Sequence, residues 1–301
     1  MRTLDLFAGV GGMSLGFSKA GFQIYASLDN WDRLVEFYSK NRRYFKHDFL
    51  PVDLSDPQTT LMVLRNLGKM PECIIGGPPC QDFSHAGKRK EGSRATLTES
   101  FAEIVALAEP VMFVMENVDR AVHSKAYAKA KHKLKTAQYG LSQVVLNACF
   151  CGVPQSRKRL FLIGHKGFPD DYFVGPLLAA LEKKPMTPKK YFNGRLDIEF
   201  YYRHPRHYTR RAIYSVNEPA ATVRGVNRPI PPKYKKHPND AGPIKKARPL
   251  TTQERAEVQT FPRDIVWSSK KTDAEQMIGN AVPVKMAEYV AKQILGAIKN
   301  E

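Results

Sequence analysis

Short apolar runs alternate with helical stripes through the first half of the chain. Segments 2–7, 24–28, 73–76, 111–115, 143–147 and 160–164 read as strands. Between them 14–20, 32–40, 58–67, 98–109 and 124–138 have helical character, with Phe101, Ile104, Val105 and Ala108 spaced as one apolar face. Strand-then-helix repetition predicts an α/β fold built on a mostly parallel sheet with helices on both faces. The pattern fades from about 186 to 271, and 12 of the chain's 21 prolines lie between 166 and 250. Tyr, Phe and Ile recur there too often for a disordered insert, so a second, loop-rich domain is expected. Ala287, Val290, Ala291, Ile294, Leu295 and Ile298 then form a helical stripe that returns to the first domain. The division expected is 1–185 with 272–301, and 186–271.

No run approaches the ~20 apolar residues of a membrane span, and Met1-Arg2 leads straight into an alternating segment with no room for a secretory signal. A cytoplasmic protein without a membrane partner is expected. The four cysteines, 73, 80, 149 and 151, are too few and too uneven for a disulfide framework. Cys149 and Cys151 lack the spacing and the second pair of a metal site, so they are expected to be core thiols and no metal is anticipated. Charge changes the picture more. The net charge is +18, and residues 166–250 hold 18 Lys and Arg against 7 Asp and Glu. That concentration, interleaved with Tyr201, Tyr202, His207 and Tyr208, points to a polyanionic partner such as nucleic acid.

Chemistry gathers at one edge of the expected sheet. Phe7-Ala8-Gly9-Val10-Gly11-Gly12 follows a strand and opens a helix, where free N–H groups receive polar ligand atoms or simply close a tight turn. Asp29, twenty residues after Gly9, stands where a carboxylate binds ribose hydroxyls. Asp53 is placed to accept from an adenine amino group, or to cap a helix. Gly76-Gly77-Pro78-Pro79 carries Cys80 at the tip of a rigid turn, and Lys88, Arg89, Lys90 and Arg94 follow in a cationic loop that favours a thiolate. Glu116 ends an apolar run, where an acid is costly unless it works. Gln155, Arg157 and Arg159 are expected to alternate onto one face, as a functional set or as an edge-strand charge pattern. Gly9, Asp29, Asp53, Cys80 and Glu116 all fall just after expected strands, the ligand-binding edge of an open parallel sheet.

These motifs, in this order, resemble the DNA (cytosine-5) methyltransferase family of bacterial modification methylases over essentially the whole chain. Asp5 to Gly12 resembles its cofactor loop, Gly77-Pro78-Pro79-Cys80-Gln81 its nucleophile loop and Glu116-Asn117-Val118 its acid motif. Gln155-Ser156-Arg157-Lys158-Arg159 resembles its arginine motif, Arg248-Pro249-Leu250-Thr251 through Glu254, Gln259, Phe261 and Pro262 the element that organises recognition, and Gly279-Asn280-Ala281-Val282-Pro283 the final cofactor motif. The resemblance implies a Rossmann-like domain that binds S-adenosylmethionine, and a target-recognition domain between the arginine motif and Arg248. It implies cofactor contacts from Phe7, Gly9, Gly11, Gly12, Asp29, Asn30, Asp53, Leu54, Pro79, Leu97, Asn280 and Val282. Cys80, Glu116, Arg157 and Arg159 become the catalytic set. Double-stranded DNA becomes the partner, met by Gln81, Ser84, Lys88, Arg89, Thr222, Arg224 and Arg228.

A monomer acting on nucleoid DNA, functionally paired with a restriction endonuclease, completes the implication. Two departures stand out. The family more often has Glu at Asp29, and an aromatic or aliphatic residue at Asn30, with Trp31 following here one place later. The same motifs also suit a tRNA cytosine-5 methyltransferase, and an inactive DNA-binding regulator is the non-enzyme alternative.

Overall fold

The computed structural model describes residues 1–68, 70–79, 96–205, 207 and 209–299. They form two compact units: Met1–Leu146, Lys158–Leu181 and Ala287–Glu301, and Asn147–Arg157 with Glu182–Met286. The second unit therefore takes in 147–157 and 272–286 beside the loop-rich stretch.

The first unit runs β1 (Arg2–Leu6), α1 (Gly12–Ala20), β2 (Gln23–Asp29), α2 (Arg33–Lys40), β3 (Asp48–Pro51), α3 (Pro57–Asn66), β4 (Cys73–Gly76), α4 (Thr96–Ala108), β5 (Met112–Val118), α5 (Lys125–Thr136) and β6 (Gly140–Asn147). After β7 (Gln155–Ser156), which belongs to the second unit, come β8 (Lys158–His165) and α6 (Val174–Ala179). Seven strands make one sheet in the order β3-β2-β1-β4-β5-β8-β6. β1 to β5 pair in parallel, as the strand-helix alternation predicts; β8 lies antiparallel to β5. All four residues of β4 are buried, the apolar run expected of a strand covered on both faces. Leu4, Leu6, Leu28, Ile74, Phe113 and Leu162 form the sheet's share of a core into which α4 sets Phe101, Ile104 and Val105.

β1 has β2 on one side and β4 on the other. The crossovers from it leave in opposite directions, which opens a crevice beyond the carboxyl ends of β1 and β4. Local sequence fixes the helix that faces it. Gly11, at φ +69°, turns the chain into α1, and Gly21, at φ +106°, ends it with its N–H on Phe17 and Ser18 carbonyls. Asp56 caps α3 through Gln58 N–H, with Pro57 in the first turn.

The second unit has little regular structure: α7 (Pro188–Phe192), β9 (Phe200–Tyr202), β10 (Ile213–Ser215), β11 (Ala220–Ala221), β12 (Ala247–Pro249), α8 (Thr252–Val258) and α9 (Lys271–Asn280); α10 (Val284–Lys299) then passes into the first unit. β9 is central in a small sheet, antiparallel to β10 and parallel to β12. Tyr202, Ala212 and Ile213 are buried there against Phe200, Ile230 and Tyr234. One carboxylate organises the turns around them. Asp240 accepts the Ala212 and Ile213 N–H groups at 2.9 and 3.0 Å on one oxygen, and Tyr234 O–H and His237 N–H at 2.6 and 2.8 Å on the other. Despite burial, those bonds hold its carboxyl below the usual range.

Cys149 and Cys151 are buried, in a tight turn where the N–H groups of Cys151 and Val153 share the Ala148 carbonyl. Burial pushes both thiols up. Among the described residues, no helix is long and apolar enough to cross a membrane.

Candidate active site

The loop after β1 is built on left-handed backbone. Phe7, Gly9 and Gly11 take φ +54°, +52° and +69°, a region costly for an aromatic residue and free for glycine. The two glycines serve different ends. A Cβ on Gly11 would lie 2.4 Å from Phe45 Cε1 and 2.9 Å from the Tyr38 hydroxyl, whereas one on Gly9 would meet nothing within 4 Å. Gly9 thus has open space beside its backbone, and its N–H donates to Asp29 Oδ2 at 2.9 Å while Trp31 N–H donates to Asp29 Oδ1 at 3.1 Å. Burial raises the Asp29 carboxyl, and these N–H groups work against the rise. An open glycine backbone beside a partly buried carboxylate fits the polar groups of an adenosine-type ligand.

Beneath the loop runs a buried polar chain. Asp5 Oδ2 accepts Ser14 N–H and O–H at 3.1 and 2.6 Å; Ser14 and Ser27 hydroxyls lie 3.0 Å apart, and Ser27 meets His47 Nε2 at 2.8 Å. Burial lifts Asp5 to about 7 and, with Arg42 adding to it, lowers His47 to about 4.

Other expected ligand positions of this unit are less uniform. Asn30 and Asp53 are exposed, and Asp53 accepts from Ser55 N–H at 2.9 Å. Leu54 is buried, its carbonyl taking the Ser100 hydroxyl. Gly12 is buried; Pro79 and Leu97 are half-buried. Asn280, exposed at the end of α9, and Val282, buried, belong to the second unit.

Glu116 lies inside β5 rather than just past it, because the strand continues to Val118 and pairs Glu116 with Phe161 of β8. Arg159, two residues from Phe161, therefore shares a sheet face with Glu116 on the ladder's diagonal. Its Nε sits 2.8 Å from Glu116 Oε1, in an ion pair whose side chains are only 14% and 10% exposed. The neighbouring Asn117 Nδ2 donates to Pro78 O at 3.2 Å, and a Cβ on Gly77 would lie 3.1 Å from Glu116 Oε2. The turn ending at Pro79 is thus fastened beside the acid. Cys80, Gln81, Ser84, Lys88, Arg89, Lys90 and Arg94 lie outside the described residues.

The expected single face of Gln155, Arg157 and Arg159 is not formed. β7 pairs with β11 and β8 with β5, so the run breaks between two sheets. Gln155 and Arg157 are buried in the second unit and both engage Val223: Gln155 Oε1 accepts its N–H at 2.8 Å, and Arg157 donates to its carbonyl at 3.1 Å and to Gly279 O at 3.3 Å. Gln155 Nε2 also donates to Gln259 Oε1 at 2.6 Å, and Gln259 reaches Ile278 and Ala281 carbonyls at 2.7 and 3.0 Å. Thr222 O–H donates to Ser156 O at 2.8 Å, the Arg224 guanidinium turns to His204 O, and Arg228 is exposed.

Arg248 donates to both Glu254 oxygens at 2.7 and 2.6 Å, while Thr251 and Glu254 close a capping box at the start of α8. The family model described as C-5 cytosine-specific DNA methylase matches residues 1–185 and 178–296. The chain belongs to that family.

Two curated relatives of this DNA methylase are similar over almost all of both chains. Type II methyltransferase M.HgiDI of Herpetosiphon aurantiacus is 51% identical, covering 98% of this chain and 94% of its own. Type II methyltransferase M.HindV of Haemophilus influenzae is 46% identical, covering 98% and 96%. Among solved structures, the S. pombe Dnmt2 methyltransferase matches with a TM-score of 0.70 at 16% identity, covering 99% of each chain, a likeness of fold.

Sequence reasoning on this methylase missed Arg203, Arg255 and Glu275. Arg255 and Glu275 form a buried ion pair. In a segment so rich in cations, nothing marks which of them turn inward.

Proposed function

We propose that this methylase transfers a methyl group from S-adenosylmethionine to carbon 5 of a cytosine flipped out of a specific double-stranded DNA site, through a covalent adduct on Cys80. The observation that carries the reading is the nearly buried Glu116–Arg159 pair, fastened through Asn117 and Pro78 to the turn that leads into Cys80. An ion pair withdrawn from water and tied to a cysteine-bearing turn suits acid and nucleophile working on one substrate. The +18 charge and the Type II relatives favour duplex DNA and a role beside a restriction enzyme in the cytoplasm.

Carbon 5 of cytosine is too poor a nucleophile to be methylated unaided. The Cys80 thiolate adds to carbon 6 while Glu116 protonates or hydrogen-bonds ring nitrogen 3, so that electron density moves to carbon 5. Arg159, set on Oε1, orients Glu116. S-adenosylmethionine, when bound, supplies an electrophilic methyl group. Phe7, Gly9 and Asp29 would hold it. Loss of the carbon 5 proton to water then restores the double bond and releases Cys80. Flipping costs a few kcal/mol of stacking, recovered in pocket contacts.

A duplex carrying 5-fluorocytosine at the methylated position tests the reading. Fluorine cannot leave as a cation, so the protein should stay attached through Cys80 when the methyl donor is present, and Cys80→Ser should not attach. An adduct on Cys73, Cys149 or Cys151, methylation of ordinary DNA without any adduct on the fluorinated duplex, or methyl transfer to tRNA in place of duplex DNA would overturn it.

A further inference from the structure

Three consecutive carbonyls of the second unit each accept from a different guanidinium. Arg203 Nε donates to Thr222 O at 3.1 Å, Arg157 to Val223 O at 3.1 Å, and Arg255 to Arg224 O. Gln155 holds the Val223 N–H and Ser156 the Thr222 hydroxyl. Gly225 is pressed on α9, where a Cβ on Gly279 would lie 2.1 Å from its nitrogen. Asn227 then donates to Leu250 O at 2.9 Å and to Glu275 Oε1 at 3.2 Å.

Surface-loop carbonyls are ordinarily satisfied by water. Here Arg157 and Arg255 are withdrawn from solvent to hold them. Burial, with Arg203 and Arg224 crowding in, pulls Arg255 down to about 10. Such an arrangement costs desolvation and like-charge repulsion, and what it secures is one conformation of a short strap. Between and beyond the anchored residues stand Val226, 55% exposed, and Arg228, also exposed. An apolar side chain and a guanidinium on rigid backbone are suited to base edges, which present methyl groups and paired acceptors in the major groove.

We propose that Arg203 and Arg255, together with Arg157, are positioning residues for sequence discrimination: they preset the strap 222–228 so that Val226 and Arg228 meet base edges of the target duplex in one register. This rests on the reading of the chain as a sequence-specific DNA methylase.

The test methylates a pool of random-sequence duplexes with the full chain and its variants, then reads the methylated contexts by bisulfite sequencing. The quantity compared is methylation at the wild-type site relative to sites differing by one base pair. Arg203→Met should lower that ratio about tenfold, the effect of one lost charge-assisted bond, and Arg203→Lys should restore part of it. Affinity for S-adenosylmethionine should stay within twofold of wild type. Val226→Ala and Arg228→Ala, both at exposed positions, should relax the same bases and keep the inference testable if Arg203→Met does not fold. A slower Arg203→Met enzyme with an unchanged ratio, or exposed variants with unaltered contexts, would overturn the proposal. A wild-type chain that methylates no duplex would instead remove the function on which it rests.

Discussion

Replacing Asp5 with Asn separates two opposed titrations beneath the glycine loop. Asp5 is fully buried, and among the described residues no hydrogen bond reaches its Oδ1. Burial lifts its carboxyl to about 7 from the ordinary 3.8, so between those limits the folded state holds a proton that the unfolded state has lost. Stability therefore falls as pH rises through that window, by about 1.4 kcal/mol per unit and about 4 kcal/mol in all. His47 has the opposite sign. Lowered from 6.5 to about 4, it is neutral in the folded state while the unfolded state is charged, so stability rises with pH over that range by about 3 kcal/mol. In the wild type the two slopes nearly cancel from pH 4 to 6.5. Asp5→Asn removes the falling slope and exposes the rising one; His47→Gln does the reverse. Urea unfolding followed by circular dichroism at half-unit steps from pH 4 to 8 measures each variant against wild type, which cancels the other carboxylates. Asp5→Asn should gain on wild type by about 4 kcal/mol across the window. A difference between the two proteins that stays constant with pH would refute the reasoning.

Arg159→Met removes the charge-assisted bond that orients Glu116, so single-turnover methylation should slow about 10- to 100-fold with cofactor binding unaltered; an unchanged rate would dissociate the pair from chemistry. Asp240→Asn leaves Tyr234 and His237 facing a donor, and the urea midpoint should report a loss of about 2–4 kcal/mol. Gly279→Ala sets a methyl group against the Gly225 backbone, which should cost about 1–3 kcal/mol and lower DNA affinity before cofactor affinity. Neutralising the exposed Lys235, Lys236, Lys245 and Lys246 should flatten the slope of log affinity against log salt by about 3; an unaltered slope would mean that these lysines face solvent when DNA is bound.

Much of the first unit was legible because its elements obey one rule each. Buried parallel strands are continuous apolar runs, and covering helices are stripes, so β1, β4 and α4 emerge within about a residue or two of their limits. Glu116 was recognisable as misplaced charge, and the family resemblance named Arg157 and Arg159 as the residues that position it; no local pattern encodes that β8 runs antiparallel to β5, the direction on which the observed Arg159 pairing depends. The left-handed turn at Gly11 could be read as a glycine position, whereas its second reason, the Phe45 and Tyr38 rings packed on it, comes from residues far along the chain. The second unit was least legible. Its order comes from single polar hubs such as Asp240 and from guanidinium–carbonyl bonds, and Arg203 and Arg255 carry the same sequence signal as the exposed lysines around them.

The chain enters the second unit at Asn147, leaves it at Arg157 and re-enters at Glu182. This interleaving bears on how specificity can be exchanged among such enzymes. The continuous stretch 182–286 is not a portable cassette, because Gln155, Ser156 and Arg157, which grip Thr222 and Val223, are encoded upstream of β8. A graft of that stretch into another scaffold would carry the exposed Val226 and Arg228, the base readers proposed above, without half of the mounting of their strap. Only a recipient with matching donors and acceptors between its own β6 and β8 would inherit the donor's target, and a mismatched one should inherit a looser one.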